Sequence, residues 1–227
     1  MRLTALQLPA RWNQRDAQLA LVEQLLADGP TDVVLLPEAS LTGYVSPRGD
    51  FDVRPFAEAL NGPTFDAYAR LAKTYDCLFV GPLIEKSGNH DFNSLIGVTP
   101  EGALALHYRK HHPWMPETWA TPGAAWMEPI EWRGVHLNAA ICFDLHFLLE
   151  EDRVPGDLLL FSSAWVDEEY DARTPKLEEL AFQNQLAILN ANWGDGEPAL
   201  FGQGGSLFIH GDRELRLTDS MRLDAEL

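Results

Sequence analysis

Residues 135–151, VHLNAAICFDLHFLLEE, join an apolar run to a cysteine and then to a polar and aromatic segment. The run Val135–Ile141 has the length and flanks of a buried strand. Cys142 therefore stands at a strand's carboxyl end, where open α/β sheets place ligands and reactive groups. Asp144 begins the next turn or helix, which leaves the amides after Cys142 free to point at an oxyanion. A lone cysteine in such a run is more often a small buried hydrophobe than a nucleophile. Residues earlier in the chain decide between the two.

Working back to the N-terminus, residues 2–8 carry apolar Leu3, Ala5 and Leu6 ahead of Pro9 and read as an opening strand. Asn13 is placed to cap a helix with Asp16 in its first turn and Leu19, Val22, Leu25 and Leu26 at helical spacing; Gly29-Pro30 stops it. Residues 32–36 are a second buried strand, and strand, helix, strand implies a parallel pair with a right-handed crossover. Glu38 follows that strand directly, within Pro37-Glu38-Ala39-Ser40-Leu41-Thr42-Gly43-Tyr44. A carboxylate at the mouth of a buried strand is partly desolvated, which raises its pKa toward a range where it can accept and return a proton. Gly43 supplies a turn. Residues 61–75 form the next helix and 77–84 the next strand, with Cys77 packed in the core.

The middle of the chain changes pattern. Residues 91–98, 102–108 and 130–141 are extended segments separated by turn signals, which predicts a strand meander. Lys110 follows one of these strands, where its ammonium can stand over a developing oxyanion. Residues 116–123, rich in proline and aromatics, suit a pocket wall. His111 and His112 are adjacent on an extended segment and so point in opposite directions, which argues against a shared metal. Farther on, residues 157–162 and 186–192 read as strands around a helix opened by Thr174 and Pro175, and a hairpin closes around Gly211-Asp212.

Composition excludes several classes. The 227 residues, 46% hydrophobic, suffice for one substantial core, so a single domain over 1–227 is expected. Seventeen basic residues against 34 acidic ones give a formal charge of −17, which repels nucleic acid and acidic membranes. The N-terminus has too short an apolar stretch for a signal peptide, and no run approaches a membrane span, so a cytoplasmic protein is expected. Cys77 and Cys142 are then free thiols, and no spacing suits zinc.

Leu36-Pro37-Glu38 with Thr42-Gly43-Tyr44, then Tyr108-Arg109-Lys110-His111, then Cys142-Phe143-Asp144-Leu145 with Phe147 resemble, in this order, the three signature blocks of the nitrilase, or carbon-nitrogen hydrolase, superfamily. The resemblance continues through Ser163-Ala164-Trp165, Ala181-Phe182-Gln183-Asn184 and Gly204-Gly205-Ser206. It implies a four-layer αββα sandwich. It also implies Glu38 as general base, Lys110 as stabiliser of the tetrahedral intermediate and Cys142 as the nucleophile that forms a thioester from an amide or nitrile. Glu117, followed by Thr121-Pro122-Gly123, matches a second glutamate that helps position the substrate. Tyr44, Phe143, His146 and Trp165 are the candidate substrate-binding residues, with the Phe143 amide as an oxyanion donor. No metal or cofactor is required, and a homo-oligomer, commonly a dimer, is implied.

The sequence departs from the family pattern at named positions. Where members commonly carry an arginine two residues beyond the Asp of the cysteine block, this chain has His146, so a fixed cation for a substrate carboxylate is missing or pH-dependent. Leu180 and Gln183 replace an arginine and a glutamate of a later segment. An amide hydrolase is the expected function. Acyl transfer from the same thioester to an acceptor other than water, or a silent binding protein, are the alternatives. Intact Glu38, Lys110 and Cys142 disfavour the silent one.

Overall fold

The computed structural model describes residues 1–166, 172–197, 204–218 and 220–227. Two six-stranded sheets lie face to face, each with helices on its outer face, which is the αββα arrangement. The first sheet contains β1 (Arg2–Leu6), β3 (Val33–Leu35), β4 (Leu78–Ser87), β5 (His90–Val98), β6 (Leu104–Arg109) and β14 (Arg222–Glu226), in the order β14-β1-β3-β4-β5-β6. The second contains β7 (Ile130–Trp132), β8 (Val135–Ile141), β9 (Leu158–Ser163), β10 (Ala187–Asn192), β12 (Leu207–His210) and β13 (Arg213–Arg216), in the order β13-β12-β10-β9-β8-β7. Short strands β2 (Pro9–Arg11) and β11 (Gly194–Glu197) pair with each other.

Strand alternation explains the layers. Leu3, Ala5, Val33, Leu35, Leu78 and Val80 face the second sheet, where Leu137, Ala139, Ile141, Leu158, Leu160 and Leu189 meet them. Val34, Leu36 and Phe79 point the other way, against Leu19, Val22 and Leu26 of α1 (Arg15–Leu26) and Tyr68, Leu71 and Ala72 of α2 (Pro63–Tyr75). On the far side Ala140, Leu159, Phe161 and Ile188 pack on α3 (Leu145–Leu148) and α4 (Arg173–Asn184). Strands buried on both faces must read as continuous apolar runs, as 33–36 and 158–161 do.

Three expectations need correction, and one strand was not foreseen. Asn13 is not the cap of α1: it adopts φ 53, outside the extended geometry a cap requires, and its amide donates to Thr42 O at 2.9 Å, so Gln14 occupies the cap position without a side-chain bond. The opening strand breaks at Leu6, and Pro9–Arg11 turns away to pair with β11. The meander is divided: β4, β5 and β6 run antiparallel in the first sheet, while β7 and β8 form a hairpin in the second. Finally, β14 pairs with β1 at the sheet's edge. Its signal was the alternation of Leu223 and Ala225 with charged Arg222, Asp224 and Glu226, the pattern of an edge strand half open to water.

Candidate active site

Lys110, Cys142, Ala164 and Trp193 follow directly on the carboxyl ends of β6, β8, β9 and β10, and Glu38 stands three residues beyond the end of β3. The two sheets bring these ends together. Because parallel neighbours in register end at the same level, side chains distant in sequence converge there.

Below the surface, Glu38, Glu117 and Lys110 have no exposed side-chain area. Lys110 Nζ donates to Glu38 Oε1 at 2.7 Å and to Glu117 Oε2 at 2.6 Å. Asn93, on β5, donates through Nδ2 to Glu38 Oε1 at 2.7 Å and Glu117 Oε1 at 2.6 Å. The Trp114 amide donates to Glu117 Oε2 at 2.6 Å and the Ala164 amide to Glu38 Oε2 at 3.1 Å. Both carboxylates are thus multiply bonded, the condition for keeping charge in a low-dielectric interior. The loop bearing Glu117 is pinned beside Lys110: the Gly123 amide donates to Lys110 O at 2.8 Å, and a Cβ on Gly123 would overlap the Arg109 carbonyl.

Cys142 turns the chain out of β8 with φ 46, a left-handed conformation that costs a β-carbon residue roughly 1 kcal/mol or more. Asp144 holds that turn. Its Oδ2 accepts from the Ile141 amide at 3.0 Å and the Tyr108 hydroxyl at 2.8 Å, and its Oδ1 from the His112 amide at 2.8 Å. The sequence blocks carrying Lys110 and Cys142 are therefore bolted to each other through Tyr108 and Asp144. Cys142 is partly exposed through an open cavity of about 480 Å³, lined also by Tyr44, Val45, Phe51, Trp114, Phe143, His146, Ala164, Trp165, Val166 and Trp193.

Burial raises the Cys142 thiol well above its ordinary value, and the charge of Glu38 raises it further against the pull of Lys110. Burial likewise raises Glu38; Lys110 opposes this and Glu117 adds to it. Burial disfavours the Lys110 ammonium, but Glu38 and Glu117 outweigh it, so Lys110 is raised and stays protonated. Burial, then Glu38, Glu117 and Cys142, raise the Tyr44 phenol, which stays neutral. The site holds two carboxylates and one ammonium beneath a thiol. An ionised sulfur would add a second net negative charge; a proton passed from Cys142 to Glu38 adds none.

The structure brings together every sequence-derived candidate: Glu38, Lys110 and Glu117 in the buried cluster, and Cys142, Tyr44, Phe143, His146 and Trp165 around the cavity. The sequence reading missed Asn93, a single polar residue in a strand with no signal of its own, and the wall residues Phe51, Trp114 and Trp193. It also mistook the two histidines. The strand ends at Arg109, so His111 and His112 are not extended, and their rings meet edge to face at 4.4 Å. His111 Nδ1 lies 2.7 Å from Gly123 O, and His112 stacks on Phe147 at 3.7 Å. Gln183 reaches Glu179 on an exposed face while Leu180 is fully buried, so the two replacements lie on different faces of α4. Among the described residues no helix is long and apolar enough to cross a membrane, and no group of three His, Cys, Asp or Glu is arranged to hold a metal ion.

The (R)-stereoselective amidase of a Pseudomonas species is 29% identical over 186 residues, which are 80% of this chain and 66% of that enzyme, just under two thirds of its length. An omega-amidase of Yersinia enterocolitica is 26% identical over 236 residues, covering 100% of this chain and 90% of that one. A CN-hydrolase superfamily protein of Xanthomonas campestris, solved with an arsenic adduct in its active site, superimposes with a TM-score of 0.85 at 25% identity over 99% of this chain and 89% of its own. An amidase from Nesterenkonia sp. AN1, solved after acrylamide added to its active-site cysteine, shares the fold with a TM-score of 0.81 at 18% identity over 100% of this chain and 93% of its own. The carbon-nitrogen hydrolase family model matches residues 2–150, well over half of the chain, and the chain belongs to that family.

Proposed function

We propose that this protein hydrolyses the carbon–nitrogen bond of a small non-peptide amide through a thioester on Cys142. The observation that carries the reading is the buried Glu38–Lys110–Glu117 cluster beneath the cavity that Cys142 lines. Amidase relatives support amides over nitriles.

In this reading the Cys142 sulfur attacks the amide carbon as Glu38 takes its proton, because neither the raised thiol nor the surrounding charge favours a standing thiolate. The amide oxygen becomes an oxyanion between the Lys110 ammonium and the Phe143 amide, a donor of this kind being worth roughly 3 to 4 kcal/mol. Glu38 then returns the proton to the nitrogen, the carbon–nitrogen bond breaks, and ammonia or an amine leaves. Water attacks the thioester, giving its proton to Glu38; the carbon–sulfur bond breaks, the acid departs and the sulfur is reprotonated. Glu117 holds Lys110 in place throughout. Of the two Glu38 oxygens, Oε1 accepts from both Lys110 and Asn93 while Oε2 accepts only from the Ala164 amide, so Oε2, with a lone pair to spare, is the one assigned to proton transfer.

The test is ammonia release from a panel of small amides, nitriles and N-carbamoyl compounds, with intact-mass detection of the trapped thioester. Cys142→Ala should abolish both signals. Cys77→Ala should leave both, since Cys77 is fully buried in the α-helical layer with its thiol pushed up to about 12 by burial. Equal losses from the two changes would sink the assignment. The same reading takes the chain as one catalytic domain, working as a homodimer in the cytoplasm, a compartment that keeps its two free cysteines reduced; a monomer in sedimentation would remove the dimer.

A further inference from the structure

We infer that the cavity beside Cys142 takes amides with an uncharged, apolar acyl group and turns away amides whose acyl chain carries a carboxylate. The inference rests on the amidase reading and goes on to the class of substrate.

The wall is aromatic. Tyr44, Phe51 and Trp114 pack on one another with centroids 5.3 to 6.2 Å apart, and Tyr44 meets Trp193 edge to face at 5.9 Å. Rings in mutual contact form a rigid apolar surface. At about 480 Å³, the cavity has room for far more than a formyl group, given that a water occupies about 30 Å³ of liquid.

Among the described residues, no lysine or arginine lines the cavity. Nor does either neighbouring stretch outside the described residues contain one: residues 167–171 read DEEYD and 198–203 read PALFGQ. His146, at the position where a cation was sought, stacks its ring on Trp165 at 5.4 Å with 23° between planes and leans on Phe143 at 5.0 Å. Burial and the charge of Lys176 hold its pKa below the ordinary histidine value, so it meets a substrate neutral. Lys176 itself is not part of the wall. The Lys110 ammonium, under the floor, is already shared between Glu38 and Glu117. A carboxylate entering the cavity would lose its water, find no countercharge on the wall and approach a floor that is net negative.

Succinamate and isocaproamide test this directly, because they differ only in a carboxylate replaced by an uncharged isopropyl group with the same branching and a similar size. Isocaproamide should have a kcat/KM at least about 100-fold higher, the discrimination expected when a charged group must be desolvated without a partner. His146→Arg should narrow or reverse that ratio by placing a guanidinium on the wall. Equal or preferential turnover of succinamate by the unmodified protein would overturn the inference while leaving the amidase reading intact. If neither amide releases ammonia, calorimetry on the Cys142→Ala protein separates the two claims: binding of isocaproamide but not succinamate upholds the selectivity and overturns hydrolysis, and any other binding pattern overturns both.

Discussion

Asn93 Nδ2 lies 2.7 Å from Glu38 Oε1, on the oxygen that also receives Lys110 Nζ. A buried amide therefore donates to the proposed base in its ionised form, and through the same nitrogen to Glu117. Donors to a carboxylate lower its pKa, and here they counter the burial that raises Glu38. Asn93→Leu keeps the volume and removes the donor. The acid limb of the kcat/KM profile should then move to higher pH. A uniform fall in rate with the limb unmoved would make Asn93 merely structural.

Glu38→Gln and Lys110→Met should fail in different ways. The first removes one of two negative charges that share one ammonium, so the cluster is neutral and the protein should fold with near-native stability. Its turnover should drop by roughly 100-fold to 10,000-fold, the range for loss of a general base. Lys110→Met leaves Glu38 and Glu117 buried together without a cation, which costs about 3 to 5 kcal/mol. Thermal melts beside kinetics decide the matter: a Lys110→Met protein as stable as the native one would contradict the buried-pair account.

His146 gives a pH dependence with a definite sign. Its pKa is lowered from 6.5, by burial first and then by Lys176, so the imidazole is neutral through the physiological range. Any help it gives a carboxylate-bearing amide should appear only as the pH falls below 6.5, as a falling KM for succinamate with none for isocaproamide. A succinamate KM that improves as the pH rises would refute this.

Glu85, outside the site, should shape acid stability. It accepts from Ser94 Oγ at 2.7 Å and from the Arg109 guanidinium, and His107 Nε2 lies 2.8 Å away. Burial raises its pKa, but these partners outweigh burial and lower it from 4.5 to about 2. A depressed carboxylate stabilises the fold fully above its unfolded value and loses that contribution as pH falls from 4.5 toward 2, here up to about 3 kcal/mol. Glu85→Gln should lower stability at neutral pH and flatten urea midpoints across that window. An unchanged slope would place acid sensitivity elsewhere.

The sequence alone determined the layers and the order of the chemistry. Apolar runs such as 33–36 and 158–161 are legible because a strand buried on both faces has no polar position to spare. Glu38 is legible just beyond the first of these runs, and Lys110 and Cys142 directly after the strands 104–109 and 135–141. Other features depended on partners distant in the chain. The bond from Asn93 to Glu117, the Tyr108–Asp144 tie and the ring wall of Tyr44, Trp114 and Trp193 join residues from separate strands and loops, and local pattern does not encode which strand ends meet. Edge strand β14 and the parting of the meander into two sheets were likewise tertiary decisions, because a short half-exposed strand takes its register from its neighbour. His146 shows the division most clearly: its sequence position marks a missing cation, but only its stacking on Trp165 and the burial that keeps it neutral give the substitution a chemical meaning.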